Sequence, residues 1–385
     1  MQSWQLPDYI ADILPSTARQ LENAKESLLA LFRVHGYELV SPPLLEYSDS
    51  LLTKIDEGLS LKTIRIVDQI SGYQLGLRAD ITPQVARIDA HLLSTNNGIN
   101  RLCYAGSVLH AQPDGLLSTR EPLQIGAELY GYEGIEADIE LIDLMLKSLQ
   151  LVDIQKPILT LGHIGIFNAL AAAAKLTSEQ SVKLLELMQN KDTAAVHACA
   201  CEWTLSNQWA NAFSALPALY GNKDIIKTAM SILPDLPEVR TALYDLQTVC
   251  AAFPEQNICI DLSELRVDAY HTGLLFAAYN SGWPDAIARG GRYNGLGSYF
   301  GRSRPATGFS FDLRDLIGHL PQEEVLYGIK VNAKDVVSAK EEIDRLRSEG
   351  QCVIIDYMPE SNNLNNCNRQ LVWLNESWQV IAIES

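Results

Sequence analysis

RLCYAGSVLHAQ at 101–112 and PLQIGAELYG at 122–131, separated by the polar PDGLLSTR of 113–120, are the two segments that decide the fold. Both have strand-like composition, and the short polar link predicts that they pair antiparallel. Upstream, 64–68 and 73–78 flank Ser71-Gly72 and read as a hairpin, and 82–93, with Pro83 in its first turn, reads as a helix. Before them, Leu21, Ala24, Leu28, Leu31 and Phe32 recur at helical spacing over 16–33, with Thr17 and Gln20 placed for a capping box. YELVSPPLLEYSD then reads as a short strand interrupted by Pro42 and Pro43.

Downstream, the pattern predicts a helix over about 135–149, an Ala- and Leu-rich helical insertion over about 165–253, and strands at 258–262, 273–279 and 306–311. Strands in this order, mostly without regular crossover helices, predict an α+β fold with a largely antiparallel sheet flanked by helices, not a doubly wound one. GHLPQEE, at 318–324, marks a boundary between a domain of residues 1–320 and a small α/β domain of 321–385. In the latter, YGIKV, a helix with Val336, Ala339, Ile343 and Leu346 on one face, and CVIID make a βαβ unit. An Asn-rich loop and two short strands around Trp373 and Ile381 complete it.

With 47% hydrophobic and 20% charged residues, the 385-residue chain has the composition of an ordinary globular protein. Its 30 basic and 47 acidic side chains leave −17, a field that repels polyanions and argues against bulk nucleic-acid binding. The N-terminal segment has no basic stretch followed by an apolar run, and no long uncharged apolar span occurs, so a cytoplasmic protein without membrane segments is expected. Seven scattered cysteines suit reduced thiols.

Four clusters are candidates for chemistry. His197, Cys199 and Cys201 are metal-type ligands, but on a helix 199 points away from the other two and no second pair stands nearby; packing of buried small residues in the helical insertion explains them better, and no metal or cofactor is expected. ARGGRYNGLGSYFG at 288–301 lacks the spacing of a phosphate loop and reads equally as a tight turn bringing Arg292 and Tyr293 to a sheet face. Gln124 and Glu128, four apart on a strand, share one face and can converge on a polar ligand, or simply face solvent. Arg266, Tyr270, His271 and Thr272 crowd one segment and suit carboxylate and amine recognition, or a hydrogen-bonded turn.

Placed in order, SPPLLEY, LRADITPQVAR, YAGSVLHAQ with QIGAELYG, LRVDAYHTG, and ARGGRYNGLGSYFG with ATGFSFDL resemble the catalytic domain of class II histidyl-tRNA synthetases over roughly residues 5–318. The resemblance implies a six- or seven-stranded antiparallel sheet with SPPLLEY at a dimer interface. It places Asp80, with Thr82, toward a ligand's α-amino group, sets Gln124 and Glu128 in the amino-acid pocket, and puts Arg266 in register with the catalytic arginine. Tyr270 and His271 match an aromatic pair, and Arg292-Tyr293 a glycine-rich floor.

The departures point away from a ligase. Where the enzymes carry a phosphate-gripping arginine and then a glutamate, this chain has His110 and Gln112, and the γ-phosphate arginine falls on Asp315. Losing two guanidinium forks removes charge-assisted bonds worth about 1.5–3 kcal/mol each, and Asp315 repels a triphosphate. In the pocket, Ala269 and Asn294 replace aspartates. A kept amino-acid site, lost nucleotide clamps and a short C-terminal domain are similar to a paralogous family, the regulatory subunits of ATP phosphoribosyltransferase in histidine biosynthesis. That resemblance implies a noncatalytic subunit that dimerises, joins short-form catalytic subunits in a hetero-octamer, activates them and conveys allosteric feedback by L-histidine. An active amino-acid ligase and a scaffold with a vestigial pocket are the competing readings.

Overall fold

The predicted antiparallel pair lies within a large sheet. A computed structural model of the chain describes residues 4–51, 57–113, 115, 118–263, 271–320, 327–358 and 366–383. The chain divides into two compact units, Met1–Leu320 and Pro321–Ser385. The strands of the first are β1 (Glu38–Leu39), β2 (Leu45–Tyr47), β3 (Arg65–Val67), β4 (Gln74–Leu77), β5 (Asn100–Ser107), β6 (Leu123–Tyr130), β7 (Ile158–His163), β8 (Tyr220–Gly221), β9 (Ile258–Asp261), β10 (Leu274–Tyr279), β11 (Ala288–Arg292) and β12 (Ala306–Asp312).

Nine of these form one sheet in the order β1-β5-β6-β12-β11-β10-β7-β9-β8. The six strands from β5 to β7 pair antiparallel throughout, whereas β1 joins β5, and β9 joins β7, in parallel. The sheet is therefore wider than the expected six or seven strands and mixed at its margins. One expectation is corrected: residues 288–292 are a strand, not a turn. Ile158–His163 is a further strand, which short-run periodicity cannot separate from the helix after it.

Helices Pro15–Val34, Glu136–Leu151 and Leu313–His319 supply Leu28, Phe32, Leu141, Met145 and Leu316 to the core that also takes Ile125, Ala127 and Leu129 of β6. The first of these helices starts on Pro15 at N1 with Leu14 as its cap, one residue earlier than expected and without the Thr17–Gln20 capping box. The alternate residues Gln124, Gly126, Glu128 and Tyr130 face the opposite side, where Thr82–Arg87 packs. That opposite face is the site face. Residues 165–253 are mostly helical, with β8 reaching the sheet margin.

SPPLLEY contributes β2 to a separate three-stranded sheet ordered β2-β4-β3, which contains the predicted hairpin and leaves Leu44, Leu45 and Tyr47 exposed. In the second unit, β13 (Gly328–Asn332), β14 (Val353–Asp356), β15 (Cys367–Leu374) and β16 (Ser377–Ala382) form a sheet ordered β14-β13-β15-β16. β13 and β14 are parallel and joined through helix Lys340–Ser348, the expected βαβ unit, over a small core of Ile329, Val331, Ile343 and Leu346; the helix begins later than expected, with Ala339 as its N-cap and Val336 ahead of it.

Candidate functional site

Glu128 lies in the middle of β6 with only 1% of its surface exposed, although a carboxylate there forfeits its hydration. Neighbouring strands supply its partners. Tyr104 of β5 donates to Oε1 at 3.1 Å, and Tyr293, just past β11, donates to Oε2 at 2.5 Å. Tyr130 and Tyr293 hydroxyls meet at 3.1 Å, and Thr82 Oγ1 lies 3.1 Å from the Tyr104 hydroxyl. Burial pushes the Glu128 carboxyl up to about 8; the hydrogen bonds from Tyr293, Tyr104 and Thr82 oppose that rise and the charge of Asp80 adds to it. Burial, reinforced by Glu128, also holds the Tyr104 and Tyr293 phenols well above their usual range.

Three glycines make this arrangement possible. On the site face, Glu128, Gly308 and Gly291 lie in one row across β6, β12 and β11, and Gly126 lies in the next. A Cβ on Gly308 would fall on the Glu128 carboxylate, one on Gly126 would come within 2.6 Å of the Tyr104 hydroxyl, and one on Gly291 within 2.7 Å of His271. The glycines of QIGAELYG, ARGGRY and ATGFS thus clear a floor on which longer side chains lie flat. Steric clearance, not phosphate binding, explains them.

The resulting cavity holds about 90 Å³ and is lined by Thr82, Glu128, His271, Tyr293, Arg289 and Ser310, among others. At roughly 10–15 Å³ per water-sized group, that is the scale of one amino acid. His271 meets Tyr293 edge-on, with ring centroids 6.3 Å apart.

Asp80 and Gln124 sit at its margin. Gln124 Nε2 donates to Asp80 Oδ1 at 2.7 Å and to Ser310 Oγ at 3.2 Å, and its Oε1 accepts from Ile81 N at 2.9 Å. Thr82 N donates to the same Asp80 oxygen at 3.0 Å. The structure therefore brings Asp80, Thr82, Gln124, Glu128 and His271 together. Arg266, Ala269 and Tyr270 lie outside the described residues. Asn294 accepts from Ala306 N at 3.2 Å, holding the turn between β11 and β12.

Arg292 takes another direction. It faces the helices, where its Nε and Nη2 reach Asp138 Oδ2 at 3.0 and 2.5 Å, and Thr307 donates to Asp138 Oδ1 at 2.7 Å. Arg292 also donates to the Tyr132 and Gly134 carbonyls. This residue ties sheet to helix, while Tyr293 alone enters the cavity.

Beside the first cavity lies a second of about 500 Å³, lined by Lys62, Asp80, His110, Asp285, Arg289, Asp312 and Asp315 together with apolar and backbone groups. His110 is buried with Nε2 3.0 Å from the Ala79 carbonyl. Gln112 is exposed, and Asp315 lies 3.6 Å from His319. Burial pushes Asp312 up to about 6. Four aspartates against one lysine and one arginine make this an unfavourable seat for a triphosphate.

Tyr104, Gly308, Ser310 and Arg289 were not singled out by sequence reasoning. The signal that finds them is period-two alternation extended across strands, once the register to β6 is known. In the helical insertion, Cys201 Sγ lies 3.6 Å from His197 Nε2, with Ser214 Oγ 3.3 Å from its other ring nitrogen. Among the described residues no group of three or more His, Cys, Asp or Glu side chains is arranged to hold a metal ion, and none of the helices is long and apolar enough to cross a membrane.

The antiparallel sheet and the site face laid across it define a class II, histidyl-tRNA synthetase-like domain. The family model for histidyl-tRNA synthetase matches residues 9–316, and that for the C-terminal domain of ATP phosphoribosyltransferase subunit HisZ matches 327–381. The chain belongs to the family of ATP phosphoribosyltransferase regulatory subunits. It is 62% identical to the subunit of that name from Neisseria meningitidis serogroup C (strain 053442), over 99% of this chain and 100% of the relative. It is 55% identical to that of Chromobacterium violaceum, over 99% of both chains. The fold resembles the crystal structure of an ATP phosphoribosyltransferase regulatory subunit/histidyl-tRNA synthetase from Bacillus halodurans C (TM-score 0.82, 23% identity, 95% of this chain and 96% of that one). It also resembles histidyl-tRNA synthetase from Nostoc sp. PCC 7120 (TM-score 0.77, 17% identity, 97% and 92%).

Proposed function

We propose that the Glu128 cavity binds free L-histidine and that, through it, this chain conveys allosteric feedback to a short-form ATP phosphoribosyltransferase catalytic subunit that it also activates. The observation that carries this is a buried carboxyl held by two phenols in an amino-acid-sized cavity, next to a cavity whose phosphate-gripping positions are His110 and Asp315. Asp80, oriented by Gln124 and the Thr82 amide, suits the α-ammonium group. Glu128, with Tyr293 and His271 beside it, suits the N–H edge and flat face of an imidazole. Arg266 and Tyr270 are assigned to the same site by resemblance alone.

A feedback effector must bind one state of the complex better than another, with a coupling of typically about 1–3 kcal/mol. A rigid sheet floor favours such discrimination. Self-association through the SPPLLEY region is supported by its exposed Leu44, Leu45 and Tyr47, and a cytoplasmic hetero-octamer with the catalytic subunit completes the reading. Calorimetry on the purified complex tests it: histidine binds, and Glu128→Ala or Asp80→Ala weakens the binding. Absence of heat with histidine, together with no change in phosphoribosyltransferase rate when the chain is added, overturns it.

A further inference from the structure

The cavity assigned above has a carboxyl at one end, yet an amino acid also brings a carboxylate. Among the described residues, three border both the Glu128 cavity and its acidic neighbour: Thr82, Ser310 and Arg289. Only Arg289 carries a positive charge. On the site face it pairs across β11 and β12 with Ser310, which pairs in turn with Gly126 of β6. Two strand spacings and a two-residue offset put the Arg289 and Glu128 backbones roughly 12 Å apart. Side chains rise roughly perpendicular to a sheet and do not close that span, so the two head groups stay far enough apart to receive the two ends of one amino acid. Arg289 in the present structure already holds a carboxylate: its Nη2 donates to Asp285 Oδ1 at 2.5 Å, four residues away. Both side chains are about half exposed, 45% and 53%, so the pair can open at little cost in desolvation.

We infer that Arg289 is the residue that recognises the carboxylate of the bound amino acid, and that Asp285 is its stand-in, holding the guanidinium until the ligand displaces it. A guanidinium fork matches a carboxylate geometrically, and an internal carboxylate competing for it sets the threshold at which ligand binds. The site then reads its ligand at two ends, side chain at Glu128 and carboxylate at Arg289. Amines that carry the imidazole but lack the carboxylate are rejected.

This inference rests on the histidine reading of the site, and one set of titrations separates the two. Histidine and histamine are titrated calorimetrically into the purified complex of wild type, Arg289→Gln, Arg289→Lys, Asp285→Asn and, for comparison, Arg266→Gln. Wild type is expected to prefer histidine at least about 10-fold, as a charge-assisted pair implies. Arg289→Gln narrows the preference to within about threefold by weakening histidine alone, and Arg289→Lys recovers part of it. Asp285→Asn strengthens histidine binding severalfold and leaves histamine unchanged. If wild type binds neither compound, the histidine reading and this inference fall together. If wild type binds histidine and Arg289→Gln keeps the full preference, or Arg266→Gln alone erases it, the Arg289 assignment falls while the histidine site stands. An Asp285→Asn variant with unchanged or weakened histidine binding removes the stand-in role.

Discussion

The Tyr293 phenol donates to Glu128 Oε2 at 2.5 Å, so a residue just past β11 fixes the carboxyl at the centre of β6. Tyr293→Phe removes that bond while keeping the ring that packs on Tyr130 and His271. A lost hydrogen bond that leaves a buried oxygen unsatisfied costs about 1–3 kcal/mol. Histidine affinity of the complex, read by calorimetry, is expected to fall about 10-fold or more, with assembly unchanged by size-exclusion chromatography.

The raised carboxyl of Glu128 makes a pH prediction whose sign is determined. Folded, it titrates near 8; unfolded, near the ordinary 4.5. Between those values the folded state holds a proton that the unfolded state has released, so stability is full below about 4.5 and declines as pH rises toward 8, by at most ~1.4 kcal/mol per unit. Glu128→Gln removes this slope. Urea denaturation at several pH values is expected to show the variant gaining on wild type as pH rises across that window; a constant difference refutes the assignment.

Gly308→Ala tests the floor. Its methyl would coincide with the Glu128 carboxylate, which has to leave its two phenols. Thermal-shift measurements are expected to show loss of the histidine-induced rise in Tm, whereas Gly318→Ala, where a Cβ meets nothing within 4 Å, leaves the rise intact.

Arg292 and Asp138 form a buried pair, with side-chain exposures of 9% and 0%. Arg292→Met strands a carboxyl that burial already pushes upward against the stabilising arginine. The expected cost is about 3–5 kcal/mol in chemical denaturation. Replacing both partners by apolar residues of similar size recovers most of it.

ATP–pyrophosphate exchange with histidine is expected to stay at background. His110 and Asp315 line the neighbouring cavity where the synthetase resemblance calls for arginines, and Asp285 and Asp312 add to the repulsion. Exchange above background that depends on histidine would favour the ligase reading.

Much of this was legible along the chain, and the gaps have physical causes. The spacing of Gln124 and Glu128 gave their shared face, because side chains alternate along a strand. It could not give depth: that Glu128 is buried depends on Tyr104 and Tyr293 arriving from other strands. Residues 288–292 read as a turn because Gly290 and Gly291 have low strand propensity, yet the need for clearance beneath His271 at Gly291 and beside the Phe276 ring at Gly290 outweighs propensity. Arg292 looked like pocket floor because it precedes Tyr293, but neighbours on a strand face opposite ways. Its partner Asp138 sits on a distant helix. The N-terminal helix was placed from its apolar spacing, while its cap was missed because Pro15 initiates the helix before Thr17 can.

The acidic cavity beside the site has one more consequence. If it still accepted ATP, nucleotide and amino acid would share a linkage, and occupancy by histidine would rise and fall with the cell's energy charge. Lined by Asp80, Asp285, Asp312 and Asp315, it is an unfavourable seat for a triphosphate, and on the proposed reading the histidine site beside it is insulated from the nucleotide. A histidine sensor built this way reports one concentration only, a useful property for a gauge attached to an enzyme whose own substrate is the nucleotide being ignored.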